Sequence, residues 1–315
     1  MHPALSIVFF TTSSGAGFAL LALLGLGAPV GLLPPSQSFG CVALAIAALF
    51  AAGGLVSSIF HLGRPERAWR AFSQWRSSWL SREGILAMLT LPPAAIFGLG
   101  WVLFGTTEGL IGLCGVLAAG LAAATIYCTG MIYASLKPIH QWHNQWVVPN
   151  YLALALMSGC LLLDFMIRLW SARSAGVALL TLIVVLAAWW TKERYWRLID
   201  TTSARSTVAS ATALGSRGRV RMLEAPHTEE NYLLKEMGFR IARKHRRELR
   251  RIARLTGFAF PALASACGLL LGGVAGGIVA GLGVISAALG LVTERWLFFA
   301  EAKHTVILYY GADAA

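Results

Sequence analysis

Eight apolar stretches, most of them about 18 residues or longer, divide this 315-residue chain. They lie near 5–27, 39–61, 84–105, 110–134, 149–169, 175–191, 254–272 and 275–299, the sixth being the shortest. A soluble core has no room for so much hydrocarbon. Hydrophobic residues make up 57% of the chain and charged residues 13%, against about a quarter charged in an ordinary soluble domain. Backbone in lipid must satisfy its own hydrogen bonds, so segments of this length are helices. The expected fold is an all-α integral membrane protein with eight transmembrane helices and additional amphipathic helices at the interface. It divides into a first four-helix half, 1–134, and a second, 135–315, with no repeated motif between them.

The Lys and Arg residues give the orientation. With eight spans, both termini and the connections 2–3, 4–5 and 6–7 share one side, and 24 of the 26 Lys and Arg residues fall there, leaving Arg168 and Arg173 opposite. The positive-inside rule then places that side in the cytoplasm of a bacterial inner membrane. A net charge of +12 confined to such segments points to membrane sidedness or an acidic protein partner, not to nucleic acid. The 6–7 connection, 192–253, is too long for a turn and too charged for lipid. Its part YLLKEMGFRIARKHRRELRRI reads as a basic amphipathic helix, lying on anionic lipid or serving as a docking platform for a soluble subunit.

Metal chemistry has little to work with. Cys41, Cys114, Cys128, Cys160 and Cys267 all sit inside apolar runs without CxxC or CxxCH spacing, so no iron–sulfur cluster or c-type haem is expected in this chain. The seven histidines lie at span ends or in loops; His61 with a histidine of the 4–5 loop is the least implausible pair for a b-type haem. The first run follows MHPALS, which lacks the basic residues of a cleaved leader, and reads as a permanent span. Mid-span charge is scarce, Asp164 with Arg168 one turn later being the main exception, and that pair reads as structural. The scarcity argues against a transporter.

The most decorated stretch is FHLGRPERAWRAFSQWRSSWLSRE at 60–83. His61 closes the second span and Glu83 opens the third, so both belong to one interface, while the aromatic and basic residues between them describe an interfacial helix with Pro65 in its first turn. A plain reading makes His61 a helix cap, Glu83 a helix-dipole residue following an N-cap at Ser81, and Arg64, Arg70, Arg76 and Arg82 phosphate-facing anchors. Another reading is quinone chemistry. Oxidising a quinol near the membrane surface releases two protons with two electrons, and an imidazole, a carboxylate and an arginine form an adequate set to handle them. Gly63 would let the backbone turn closely around a head group.

HLGRPERA at 61–68 and SWLSRE at 78–83, on a chain opening MHPALSIVFFTT, resemble the membrane-anchor (C) subunits of the dimethyl sulfoxide reductase type. The similarity is greatest to anchors of the cytoplasm-facing sulfite dehydrogenase (sulfite:quinone oxidoreductase) kind, and it extends through RVRMLEAPHTEENYLLKEMGFRIARKH at 219–245 and ERWLFFAEAKH at 294–304. The resemblance implies a three-subunit complex, in which a molybdopterin subunit acts on substrate, a subunit with four [4Fe–4S] clusters carries electrons, and the anchor, without haem, exchanges them with ubiquinone or menaquinone. It carries His61, Gly63, Arg67 and Glu83 over as quinone-site residues. The sidedness given by charge favours sulfite oxidation toward quinone; the alternatives are a menaquinol-oxidising anchor of an exported S- or N-oxide reductase and a purely structural tether.

Overall fold

The computed structural model describes residues 5–61, 64–170, 175–202, 206–221, 223–224 and 244–310, with the backbone alone for His61 and Tyr310. Eight helices are long and apolar enough to cross a membrane. They are α1 (Leu5–Gly27), α2 (Gln37–Ser57, prolonged by a 3₁₀ turn Ser58–His61), α3 (Trp79–Phe104), α4 (Gly109–Ala134), α5 (Val147–Leu169), α6 (Ala175–Thr201), α7 (Arg246–Leu270) and α8 (Gly273–Ala300). Among the described residues there is no strand.

The first span is the most deeply buried; it packs on α2, α4 and α5. Small residues set these approaches, as van der Waals packing requires where lipid offers no hydrophobic drive. A Cβ on Gly17 would stand 2.6 Å from the Ala47 carbonyl oxygen, and one on Gly159 2.9 Å from Ala19 Cβ. Hydroxyls add to the α1–α2 seam: Ser13 Oγ donates to the Phe50 carbonyl at 2.8 Å and Ser57 Oγ to that of Ser6 at 3.0 Å.

Helix α7 contains a π-turn at Leu255–Ala259, placed where Pro261 follows. The Phe260 amide bonds to the Leu255 carbonyl, and Pro261 has no N–H to offer the Thr256 carbonyl. Ser286 Oγ of α8 supplies the missing donor at 2.8 Å, where the two helices meet at Gly257 and Gly290.

Two helices exceed their expected limits furthest, while α3 also starts early, at Trp79 instead of 84. α6 continues beyond 191 to Thr201, and α7 begins at Arg246 instead of 254. Their polar ends are held together by charge-assisted bonds: Arg254 Nε to Glu193 Oε1 at 2.5 Å, Arg250 Nη1 to Asp200 Oδ2 at 2.6 Å, and Arg250 to both Glu301 oxygens at 2.9 and 3.0 Å. The 192–253 connection is therefore shorter than its composition suggests, because its two ends are helical continuations of the spans. The basic helix read from the sequence falls mostly outside the described residues, its last turns being the start of α7.

Charge inside the bundle is also more abundant than the sequence implies. Lys192 and Glu294 form a buried ion pair between α6 and α8, and Arg295 lies buried with its guanidinium 4.0 Å from the Tyr151 ring. A lysine at the end of an apolar run reads as a loop residue; here the carboxylate of α8 draws it in. The Asp164–Arg168 pair is structural as expected. Arg168 Nε bonds to Asp164 Oδ2 at 2.9 Å, and its other nitrogens reach the Gly268 and Leu271 carbonyls at 2.9 and 3.1 Å, orphan acceptors at the end of α7.

Candidate functional site

The decorated stretch, expected from the sequence to form an interfacial helix, folds as a 3₁₀ helix, Pro65–Gln74, followed by the start of α3. Proline at its first position suits a helix start, since no amide is needed there. Ser78 is the N-cap of α3: it is extended, and its Oγ accepts from the Ser81 amide at 3.4 Å. Ser81, the cap expected from the sequence, is instead buried inside α3, and its hydroxyl donates to the Ala71 carbonyl of the interfacial helix. Arg82 makes a second tie. Its Nε and Nη2 donate to the Trp75 and Arg76 carbonyls at 2.9 and 2.7 Å, and its guanidinium stacks 4.2 Å from the Trp79 ring. Arg82 is therefore a clamp within the protein. Together these bonds hold the interfacial helix as a cover over the first turns of α3.

Glu83 lies beneath that cover, 3% exposed. Thr129 of α4 donates its hydroxyl to Glu83 Oε1, a charge-assisted bond that orients the carboxylate. Next to it opens a cavity of about 500 Å³, walled by α1, the end of α2, the interfacial helix, α3 and α4. Its polar lining comes from Glu83, Arg64, Arg67, Ser58, Ser81 and Tyr133. The lining thus combines a buried carboxylate with two exposed guanidinium groups.

Of the residues expected from the sequence, Glu83 and Arg67 meet at this chamber. Arg67 is exposed, and its Nε stands 3.8 Å from Glu66 Oε1 on an equally open surface, a contact loose enough to leave the guanidinium available. The backbone of His61 closes the turn after α2; its side chain and Gly63 lie outside the described residues. Tyr133 and Ser58 join the chamber without having stood out in the sequence, as does Thr129 through its bond to Glu83, and Arg64, which reads there as a lipid anchor, is part of the lining as well. Thr129 sits 46 residues from Glu83, and a threonine in an apolar helix ordinarily bonds to its own backbone, as Thr129 also does to the Thr125 carbonyl at 3.1 Å; its sequence context carries no signal of a second partner.

A second cavity borders the chamber. A crevice of about 660 Å³ runs between α2 and α3, and it shares Leu55, Ile59, Phe72 and Gly84 with the chamber. Elsewhere its walls are apolar apart from Thr90, whose hydroxyl is spent on the Leu86 carbonyl at 2.7 Å.

Three of the described histidines, two in the 4–5 connection and one after the last span, hydrogen-bond within the protein. His143 Nδ1 donates to the Ala134 carbonyl at 2.7 Å, His140 Nε2 hydrogen-bonds with Thr202 Oγ1 at 2.9 Å, and His304 Nδ1 accepts from the Val306 amide at 3.0 Å. Among the described residues no three or more His, Cys, Asp or Glu side chains gather as a metal-binding group.

Residues 1–298 match the family described as DMSO reductase anchor subunit (DmsC). The chain belongs to that family. This anchor is also similar over its whole length, and over the whole length of the relative, to the C subunit of the sulfite dehydrogenase of Allochromatium vinosum, with 32% identity over 336 aligned positions. No solved structure matches it. An anchor subunit of the DMSO reductase type is a multi-pass membrane component of a larger complex, consistent with the eight spans.

Proposed function

We propose that the chamber binds a quinone head group and that this anchor passes electrons between an iron–sulfur subunit with four [4Fe–4S] clusters and the quinone pool. The observation that carries the reading is the buried Glu83 carboxylate, held by Thr129 on the floor of a cavity of about 500 Å³ whose rim bears Arg64 and Arg67. The bound ring would supply two-electron chemistry coupled to two protons. Glu83 takes or gives one of those protons through the oxygen that Thr129 leaves free, and its burial keeps the carboxylate out of competition with bulk water. Arg67, with Arg64 beside it, holds a carbonyl oxygen of the ring by donating from a group that never deprotonates. The resemblance carried by residues 61–68 supports His61 as the second proton carrier and Gly63 as a residue of the same site.

The full-length likeness to the C subunit of a sulfite dehydrogenase supports sulfite as the electron source, with a molybdopterin subunit acting on it and quinone as acceptor. The charge distribution supports docking of those partners on the cytoplasmic face, since the termini, the connections 2–3, 4–5 and 6–7 and the helix ends that adjoin them carry 24 of 26 Lys and Arg residues. A reporter fused at residue 315 would give a periplasmic signal if the orientation were the reverse, as the menaquinol-oxidising alternative requires.

Glu83→Gln tests the site. It keeps the acceptor for Thr129 and removes the proton-carrying oxygen, so quinone-dependent turnover of the lipid-embedded complex should fall about 10²- to 10⁴-fold with assembly intact. Normal turnover in that variant rejects the role.

A further inference from the structure

Facing alanines on two membrane helices ordinarily let the backbones meet, because helix association in lipid rests on close packing. α1 and α2 behave so, with Gly17 against Ala47 and Ala51. α2 and α3 do not. Ala48, Ala51 and Ala52 look across the crevice of about 660 Å³ at Ala87, Ala94 and Ala95. The small side chains here keep a passage open instead of closing a seam.

Two further features define what belongs in it. Among the described residues the lining offers no free polar group, since its one hydroxyl, that of Thr90, is already bonded within its own helix. The crevice also borders the polar chamber, sharing with it a neck of Leu55, Ile59, Phe72 and Gly84; Gly84 directly follows Glu83, and a Cβ on it would stand 3.0 Å from Phe72 Cε1. Phe72 is held over that neck because Ser81 bonds to the carbonyl of its neighbour Ala71. The occupant is thus long, apolar and joined end to end with a polar ring.

We infer that the crevice between α2 and α3 is the binding site for the isoprenoid tail of a long-tailed quinone. The molecule reaches Glu83 sideways from the lipid, beneath Phe72, and Gly84 with the alanine walls selects for substrates that carry a tail. The inference rests on the quinone reading of the chamber. The tail gains little by leaving lipid for an equally apolar crevice, so what the crevice provides is position: it fixes the direction from which the ring meets the carboxylate.

Ala94→Phe on α3 and Ala48→Phe on α2 plug the crevice from opposite walls and line no part of the chamber. In the assembled complex in nanodiscs, kcat/KM is measured with 2,3-dimethoxy-5-methyl-benzoquinone and with the same ring bearing an isoprenoid tail. A misplacement of the reacting ring by about 1 Å can cost about 100-fold, so the tailed-to-tailless ratio should fall about tenfold or more in each variant. An unchanged ratio overturns the inference, and a crevice filled by phospholipid acyl chains gives that result. Photolabelling of the wild-type complex with a quinone carrying a diazirine on its tail gives a reading independent of variant folding: labels should fall on α2 and α3 between residues 44 and 95 or on Phe18 and Leu21 of α1, which also line the crevice, and labels confined elsewhere overturn the assignment. Glu83→Gln separates the two levels. Its loss of turnover with both acceptors alongside an unchanged ratio removes the tail site alone, whereas unimpaired turnover removes the chamber reading as well.

Discussion

Lys192→Met is the perturbation whose cost the structure defines best. Lys192 and Glu294 are each 1% exposed and face one another across the α6–α8 contact, and the ammonium also lies 4.0 Å from the Tyr195 ring centroid. Methionine nearly preserves the volume and the packing of the aliphatic stem. What disappears is the partner of a carboxylate that has no access to water. Removing one member of a buried pair costs about 3–5 kcal/mol. Arg295 Nε remains 3.7 Å from the other oxygen of Glu294, so the cost should lie at the low end, about 3 kcal/mol. Glu294→Gln should cost more, about 4 kcal/mol, because it strands two cations at once. The double substitution leaves only Arg295 without a carboxylate, and its cost should fall short of the summed single costs by at least about 2 kcal/mol. Equilibrium unfolding in mixed micelles, followed by tryptophan fluorescence and far-UV circular dichroism, measures all three. Single costs below about 1 kcal/mol, or additivity within about 0.5 kcal/mol, would refute the idea that the pair is a coupled, desolvated unit.

Other predictions concern the opposite face and the chamber floor. Arg168→Met strands Asp164 and leaves the Gly268 and Leu271 carbonyls without donors; a loss of about 3–5 kcal/mol is expected, read as a lower midpoint in the same unfolding assay and partly recovered by Arg168→Met/Asp164→Leu. Thr129→Val removes the hydroxyl that orients Glu83. A hydrogen bond to a charged group contributes about 1.5–3 kcal/mol, so quinone-dependent kcat should drop at least about tenfold, with assembly intact and with recovery in Thr129→Ser.

Much of the chamber can be read from residue order. Glu83 and Arg67 are recognisable because each is a charge at a span boundary in a segment rich in tryptophan and arginine, where solvation gives no reason for a carboxylate to be drawn inward. The interfacial helix between them follows from Pro65 and the spacing of aromatics. Other parts are silent. Ser78 and Ser81 are equally good caps on paper, and the choice between them depends on the Ala71 carbonyl, which takes the Ser81 hydroxyl. Thr129 and Tyr133 belong to a helix whose composition is that of any apolar span. Lys192 stands at the end of an apolar run and obeys the rule for loop lysines until Glu294, 102 positions later, is placed beside it.

The sequence alone determined the number of spans, their near limits and the family of the chain, because apolar length and local charge are properties of consecutive residues and the bilayer reads them one segment at a time. It could not determine which helix lies at the centre, where α2 and α3 part to leave a crevice, or which carboxylate a buried lysine meets. Those outcomes depend on contacts between residues far apart in the chain. In lipid, with no hydrophobic drive to rank the arrangements, the fit of glycine to backbone and of donor to acceptor decides among them.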